Sequence, residues 1–428
     1  MWLAEQIPHS STSARVIEIG LKVAACLFLL YVLTGIKKGG DMRLFIPYVT
    51  AAFLLAHIAV RRDFSALRSY LFYALACYVV VSFFLVLFSF APAVSLKALS
   101  RDVLPGMILF LSLHYLSDSA EKIRGLLLVF AVALAVTVGA GYVTYVLNYL
   151  EEGTDRHLSV NIPPLKFKLY FNVFAMKVNF LLPFAVSCAA ALRTKAARAV
   201  LWVLVAASAG AVVLSLSRGG WLSLLVMVGL FFFFFTKGRI HLSRALAALC
   251  GLLLFLCVVV WITVPGVRQR IMVNAEEFYT FHGRSEVWQH YISAVRESPV
   301  AGWGYGDRII WNNGPVLLTK DLEAEVPEEF RIGTHNTFLF VLYHQGIVGL
   351  AAYIAFIAAG CAALAKSLRS AADNGGLYVF SLFTVLVGSL FIHSAIESVP
   401  FAVPSIIFGL LSGRRQWEDR ERGSACIP

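Results

Sequence analysis

Three basic side chains stand where polar segments meet apolar runs, and each could act on an anion or a proton. Arg218 lies in Leu-Ser-Arg-Gly-Gly-Trp-Leu, where Gly219 and Gly220 allow close backbone approach. Arg284 directly precedes an amphipathic segment that we expect Ser285 to cap as a helix. A cation at a helix N-terminus is unfavourable alone, but a guanidinium and free N–H groups together form a phosphate site. Arg218 could instead be an ordinary interfacial anchor, and Arg284 could snorkel or pair with a nearby glutamate.

His335 is the third candidate, in Gly-Thr-His-Asn-Thr-Phe-Leu-Phe, where a polar loop becomes an apolar run. Thr334 can cap the helix that follows, which would place His335 and Asn336 in its first turn. A helix N-terminus disfavours a charged imidazole, so the ring would be neutral and able to accept a proton, as a general base for a hydroxyl group requires. A histidine that only hydrogen-bonds the loop is the alternative.

The elements that must position these residues are more apolar than those of soluble proteins. Of 428 residues, 59% are hydrophobic and 14% are charged, against about 25% charged in an average globular chain. An ordinary soluble enzyme, a disordered chain and a disulfide scaffold are thereby excluded. Hydropathy windows predict an all-α polytopic integral membrane protein with about 12 transmembrane helices. The predicted runs are 16–36, 44–60, 69–90, 98–117, 124–148, 170–192, 199–216, 219–236, 243–265, 335–366, 377–394 and 398–413.

The runs divide the chain into four parts: transmembrane helices 1 to 9 in 1–265, one large external loop in 266–334, helices 10 to 12 in 335–413, and a tail in 414–428. With both termini cytoplasmic, the inner segments hold 18 Lys and Arg against 9 in the outer short loops. The positive-inside rule favours that orientation. The formal charge of +11 is then mostly a topology signal, and no nucleic-acid partner is expected.

Weaker candidates accompany the three basic residues. Lys177 is an intramembrane cation, which is by default a functional candidate, although it could also snorkel. The segment Gly302-Trp-Gly-Tyr-Gly306 predicts a tight turn whose Trp303 and Tyr305 rings could stack on a ligand or anchor at an interface. No Asp-x-Asp pair lies near the predicted membrane boundary, so neither a metal nor a cofactor is expected. The amphipathic segment after Ser285 should place on one side Val287, Trp288, Tyr291, Ile292 and Val295.

The order of these motifs resembles the O-antigen ligase family, whose superfamily includes O-antigen polymerases and bacterial protein O-oligosaccharyltransferases. By motif the resemblance covers roughly residues 200 to 400, and by hydropathy it covers the whole chain. The motifs that carry it are Ser217-Arg218-Gly219-Gly220-Trp221, Gly283-Arg284, Gly302-Trp303-Gly304-Tyr305-Gly306, His335-Asn336 with Phe338-Leu339, and Gly346-Ile347-Val348-Gly349-Leu350.

The resemblance implies a GT-C-like glycosyltransferase of the inner membrane. It would transfer O-antigen from undecaprenyl pyrophosphate to a sugar of the lipid A-core oligosaccharide, on the periplasmic face and among membrane lipids. Carried over to this sequence, Arg218 and Arg284 would bind the pyrophosphate and His335 would be the base, followed by Asn336. By its location alone, Glu397 matches the family's late acidic position.

Three other functions stay open. An O-antigen polymerase shares the donor but uses a lipid-linked glycan as acceptor. A protein O-oligosaccharyltransferase usually carries a longer outer C-terminal region than the 15 residues after the last predicted run. A transporter or lipid flippase would explain 12 spans, but it predicts charged or broken helices near the midplane of the bilayer, whereas the unusual residues here collect at the outer boundary.

Overall fold

The chain is mostly helical, which confirms the predicted class of helical membrane protein. The structure, a computed structural model, describes residues 12–34, 42–152, 158–162, 167–236, 284–306, 309–311, 316–318, 334–370, 376–396 and 399–425. The run predicted at 243–265 lies outside these residues, as does much of the predicted loop 266–334.

Every predicted run in the described part of the chain overlaps a helix, although the last helix continues through most of the predicted tail 414–428. Before the predicted loop they are α1 Thr12–Thr34, α2 Met42–Arg61, α3 Tyr70–Leu85, α4 Pro92–Leu116, α5 Ala120–Glu152, α6 Phe171–Ala191, α7 Lys195–Leu214 and α8 Arg218–Thr236. Within the loop lies α9 Arg284–Glu297, and after it come α10 Thr337–Ser370, α11 Gly376–Val385 and α12 Ala402–Ala425. A π-helix, Leu386–His393, and one turn, Ser394–Ile396, extend α11.

Seven helices in the described part of the chain are long and apolar enough to cross a membrane: α1, α3, α5, α6, α7, α10 and α11 with its π-helical extension. Shorter apolar stretches occupy Phe45–Arg61 in α2 and Arg218–Phe234 in α8. The structure thus supports a polytopic membrane protein, and the count of 12 spans stays a prediction.

Two β-hairpins depart from the all-α prediction. The first pairs β1 Val160–Ile162 with β2 Phe167–Leu169, and the second pairs β3 Ile309–Trp311 with β4 Val316–Leu318, both antiparallel. Each strand has three residues, too few for alternation of apolar and polar residues to stand out in the sequence.

Helix α10 is interrupted at Gly346, whose φ of 61° and ψ of −167° are not helical. The segment 299–304 runs alongside the interruption and pairs with it: four backbone hydrogen bonds are Trp303 N to Tyr343 O (3.1 Å), Gly304 N to His344 O (3.0 Å), Ile347 N to Pro299 O (2.8 Å) and Val348 N to Val300 O (3.4 Å). A side chain at 346 would place Cβ 2.1 Å from the Val300 carbonyl oxygen, so glycine is needed here.

The interruption of α10 bears on the distinction between this protein and a transporter. Broken helices were the feature expected of a transporter, and α10 is broken while α11 continues into a π-helix. The broken turn of α10 is filled by the segment 299–304, so the irregular backbone is satisfied by protein. The separation from a transporter therefore depends on the site, and broken helices cannot decide it.

Helices α4 and α12 pack closely through small residues. A Cβ at Gly409 would lie 2.7 Å from the Phe110 carbonyl oxygen, and one at Gly413 would lie 2.0 Å from that of His114. The spacing Gly409-x-x-x-Gly413 is the small-residue pattern that brings membrane helices into backbone contact. Fully buried Phe110, Ile406 and Leu410 surround this contact.

Candidate active site

Arg218 is the first residue of α8, where the sequence predicted a boundary between two runs. Ser217 precedes it and closes the first turn: Trp221 N donates to its carbonyl oxygen (2.9 Å) and Gly220 N to its hydroxyl (3.2 Å). The Ser217 hydroxyl donates in turn to Asn172 Oδ1 on α6 (2.8 Å). The half-buried Arg218 therefore stands at a helix N-terminus fastened to α6, where a nearby anion would be stabilised.

Gly220 brings α6 and α8 together beneath Arg218. A Cβ on Gly220 would lie 2.7 Å from Cβ of Ala175, so the close approach that the Gly-Gly pair predicted is present between these helices. The carbonyl oxygen of Gly220 accepts a 2.9 Å hydrogen bond from Nδ2 of Asn179, a fully buried side chain on α6. Asn179 Nδ2 also lies 3.5 Å from Nε2 of His393, at the end of the π-helix.

Asn179 and His393 are site residues that the sequence analysis missed. Both are buried within predicted spans, with 0% and 1% exposure. A polar residue inside an apolar run is a weak signal by itself, and Asn179 stands two positions after Lys177, which drew attention only because it is ionisable. Their contact joins α6 to the segment that leads into Ala395.

Asn336 caps α10, and His335 lies outside the helix. Leu339 N donates to Asn336 Oδ1 (3.0 Å) and Phe340 N to the Asn336 carbonyl oxygen (2.8 Å). The prediction that Thr334 caps and that His335 and Asn336 form the first turn is therefore wrong by two residues. The asparagine amide oxygen satisfies the free N–H groups of the first turn. Nδ2 of Asn336 donates to the carbonyl oxygen of Ala395 (3.4 Å).

His335 has a left-handed backbone, with φ of 46°. Non-glycine residues adopt this conformation rarely, at a cost of about 1–3 kcal/mol, and mostly where the surrounding structure enforces it. The enforcing contacts are on both sides of it: the Thr334 hydroxyl donates to the Asn336 carbonyl oxygen (3.0 Å), and Val399 N donates to Thr337 Oγ1 (2.8 Å). The half-buried imidazole is thus carried on a fixed turn between a buried threonine and a helix cap.

Arg284 is also the first residue of its helix, α9, so Ser285 lies inside the helix and the predicted Ser285 cap is wrong by one or two positions. One turn further along, Trp288 Nε1 donates to the carbonyl oxygen of Thr334 (2.9 Å). The start of α9 is thereby held next to His335. The Arg284 side chain lies outside the described part of the chain.

The packed side of α9 matches the predicted amphipathic face except at Ile292. Tyr291 meets Tyr343 of α10 edge-on at 4.8 Å, and Val295 packs on the buried cluster formed by Ala294, Ile309 and Tyr343. Ile292 is 45% exposed, so it does not belong to that face.

The turn formed by residues 302–306, called the glycine turn here, packs against α9 and α10. Gly302, Gly304 and Gly306 all have positive φ, which explains the predicted turn. Trp303 donates from Nε1 to the Ala294 carbonyl oxygen (2.9 Å). Tyr305 is 6% exposed and meets Phe340 edge-on at 5.7 Å. These contacts give both rings a packing role, and their contact with a sugar stays a prediction.

Lys177 and Glu397 complete the predicted set. Lys177 Nζ donates to the carbonyl oxygens of Val32 and Leu33 (2.8 Å each), in the last turn of α1. A cation at a helix C-terminus is favourable, so this contact explains the half-buried charge structurally; a substrate contact stays a prediction. Glu397 lies outside the described residues.

One continuous path of contacts joins the predicted catalytic elements. From the start of α8, Gly220 contacts Asn179, which in turn contacts His393. Two residues further along the chain, Ala395 accepts a hydrogen bond from Asn336. Two residues before Asn336, Thr334 accepts the hydrogen bond from Trp288, near the start of α9. Two helix N-termini that begin with arginine and one histidine on a fixed turn are thus tied to one framework. Such a set can bind a dianionic group and accept a proton.

The fold and this site define a multi-pass helical membrane protein with a polar site at the ends of its helices. Residues 203–354 match the family described as O-antigen ligase. The chain is 23% identical over 409 residues to the O-antigen ligase of Salmonella typhimurium strain LT2, across 90% of this chain and 93% of that protein. It is 28% identical over 156 residues to the exopolysaccharide production protein ExoQ of Rhizobium meliloti, across 35% of this chain and 34% of that protein.

Residues 203–354 thus match the O-antigen ligase family, and the resemblance predicted from the motifs is confirmed at the level of this match. The matched interval contains Arg218, Arg284 and His335, whereas Lys177 and Glu397 fall outside it.

Proposed function

We propose that this protein is an O-antigen ligase of the inner membrane, which transfers O-antigen from undecaprenyl pyrophosphate to a sugar of the lipid A-core on the periplasmic face. The observation that carries the proposal is the path of contacts between the starts of α8 and α9 and the turn that holds His335. The near full-length similarity to the O-antigen ligase of Salmonella typhimurium supports it.

The donor's pyrophosphate would lie between the two arginines. Arg218 and Arg284 each begin a helix, so each guanidinium would act together with the positive end of a helix dipole. Charge that develops on the departing pyrophosphate would be stabilised by groups already held in place. The two arginines would supply the positive charge that stabilises the departing pyrophosphate, so the proposed transfer needs no metal.

His335 would act as the base. It takes the proton of the acceptor hydroxyl while that oxygen attacks the anomeric carbon, and the bond from that carbon to the pyrophosphate oxygen breaks with its electron pair leaving on the pyrophosphate. Attack from the face opposite the leaving group inverts the anomeric configuration. The left-handed turn supports this role because it fixes the backbone from which the imidazole projects.

An apolar groove offers a place for the polyprenyl tail. It has a volume of about 430 Å³ between α1, α2 and α4, with Phe28, Tyr31 and Leu54 among its lining residues. Arg101 and Asp102 also line it, and the carbonyl of Val32, another lining residue, accepts from Lys177. A long isoprenoid chain with a charged head needs this combination of apolar wall and polar boundary.

The alternative is an O-antigen polymerase, which would use the same donor and a lipid-linked glycan as acceptor. The similarity over 156 residues to a protein of exopolysaccharide production supports this alternative. Both functions use the same arginines and base, so the acceptor decides between them.

Reconstitution separates the two. The purified protein in liposomes receives lipid-linked O-antigen and rough lipopolysaccharide, without nucleotide or metal, and the products are separated on gels. A ladder on the core lipid supports the ligase, and longer lipid-linked chains support the polymerase. Absence of both products, while the O-antigen ligase of Salmonella typhimurium is active in the same assay, overturns the proposal.

A further inference from the structure

A cavity lined by polar residues lies at the opposite end of the helices from His335. It has a volume of about 420 Å³ and its lining includes His114, Ser69 and Ser412. Ser69 directly precedes α3, whereas the other end of α3 leads to Ser89, whose hydroxyl lies 3.5 Å from the Trp303 carbonyl oxygen of the glycine turn. His114 is 22 residues beyond the start of α4, which is about 33 Å along a helix. The cavity is therefore separate from the candidate active site.

The lining is basic and rich in hydroxyl groups. Arg68 and Arg415 contribute guanidiniums, and none of the nine lining residues is acidic. Ser412 donates to Ser69 Oγ (3.0 Å) and is hydrogen-bonded to Nδ1 of the buried His114 (2.9 Å). These polar groups are ordered by one another, so a ligand would meet the Ser69 hydroxyl and the two guanidiniums already in place.

The two arginines come from different parts of the fold. Arg68 is exposed on the short 3₁₀ turn before α3, and Arg415 lies on α12, where it donates to the Tyr70 hydroxyl and lies 5.2 Å from the centre of the Tyr70 ring. The Ser69 side chain makes no cap hydrogen bond to α3, because it is engaged with Ser412. An anion in the cavity would thus bridge two helices and also face the first turn of α3.

We propose that this cavity binds the phosphate group of a phosphate ester. Two guanidiniums and the Ser69 hydroxyl suit a tetrahedral oxyanion, which accepts hydrogen bonds from several directions, while Ser412 and His114 hold Ser69 in place. The ester has two sources, the headgroup of an anionic phospholipid and a water-soluble phosphate. The bound phosphate joins α3 to α12 and stabilises the bundle.

Ligand binding by the full-length protein in detergent tests this. Native mass spectrometry follows binding of phosphatidylglycerol and of phosphatidylcholine, and thermal unfolding follows added inorganic phosphate at constant ionic strength. We expect wild type to bind phosphatidylglycerol in preference to phosphatidylcholine, or to be stabilised by inorganic phosphate. Arg68→Gln and Arg415→Gln should each weaken that binding about fivefold, a typical contribution of one basic residue at an anionic surface.

Arg124→Gln is the matched control, since Arg124 is exposed near the start of α5 and does not line the cavity. If the Arg415 variant fails to elute as a single species, Arg68→Gln carries the test alone because that side chain is exposed. A loss confined to phosphatidylglycerol identifies a lipid headgroup, and a loss confined to inorganic phosphate identifies a soluble ester. Equal losses in Arg124→Gln, or no binding by wild type, overturn the proposal.

Discussion

The indole Nε1 of Trp288 donates a 2.9 Å hydrogen bond to the carbonyl oxygen of Thr334, the residue directly before His335. Helix α9, which begins with Arg284, is thereby fastened to the turn that carries the proposed base. Because this contact is a single hydrogen bond from a side chain, its contribution can be measured by itself.

Trp288→Phe keeps an aromatic ring and removes that hydrogen bond. A single hydrogen bond contributes about 1 kcal/mol, so we expect about fivefold slower glycan transfer with an unchanged protein level. Tyr142→Phe is the control, because it removes the 2.9 Å bond to the Ala207 carbonyl oxygen between α5 and α7. Equal effects of both variants would mean that the Trp288 contact has no special relation to the site.

His335→Asn and His335→Gly separate the backbone of the turn from its chemistry. Asparagine and glycine both tolerate positive φ, so we expect the thermal stability to be equal to wild type or up to about 1 kcal/mol higher, because the strain of a non-glycine residue is relieved. Glycan transfer should be abolished in both, because neither side chain can accept the proton. O-antigen on purified lipopolysaccharide at near-normal levels would remove His335 from the mechanism.

Arg284→Ala should abolish glycan transfer while the protein level in the membrane stays normal, since the variant removes a guanidinium from the start of α9. Arg296→Ala provides the comparison, because this exposed arginine lies in the last turn of the same helix. Ladder formation in cells that express each variant is the measurement. Equal loss with both variants would point to α9 folding as the cause.

Arg218→Lys should reduce transfer by at least tenfold although the charge is kept. A guanidinium can contact a pyrophosphate through two parallel hydrogen bonds, which an ammonium cannot reproduce. The matched variant is Arg198→Lys, at an exposed arginine that donates to the Leu192 carbonyl oxygen, and it should transfer normally. Full activity of Arg218→Lys would contradict a bidentate contact.

Gly346→Ala should destabilise the protein by about 2 kcal/mol or more, because the residue has φ of 61° and its new Cβ would lie 2.1 Å from the Val300 carbonyl oxygen. Gly139→Ala in α5 meets nothing within 4 Å and should be neutral or slightly stabilising. Thermal unfolding in detergent compares the two, and similar midpoints would show that the α10 interruption relaxes without cost.

The sequence predicts seven of the described helices well because each of them is apolar over a length that a membrane span requires. It also singles out Arg218, Arg284 and His335 as candidates, because basic residues beside apolar segments stand out, and their roles stay predictions. The predicted cap of α10 was wrong because Thr334 and Asn336 are both good capping residues, and tertiary contacts determine which of them caps the helix. Asn179 and His393 were missed because their importance lies in a contact between helices that are 214 residues apart.

The interruption of α10 has the same origin. Gly346 is visible in the Gly-Ile-Val-Gly-Leu motif, but a glycine in an apolar run is compatible with an unbroken helix. What breaks the helix is the segment 299–304, which supplies the hydrogen bonds that the backbone around Gly346 needs. No pattern confined to α10 contains that information.

The pairing of α10 with the segment 299–304 also bears on how the chain is assembled during synthesis. Two carbonyl and two N–H groups would be left open in lipid if α10 inserted alone, and each would cost several kcal/mol. The partner segment precedes α10 in the sequence, so it is already translated when α10 leaves the ribosome. Integration of this span thus requires that the preceding stretch be docked, which makes loop and helix a single unit of biogenesis.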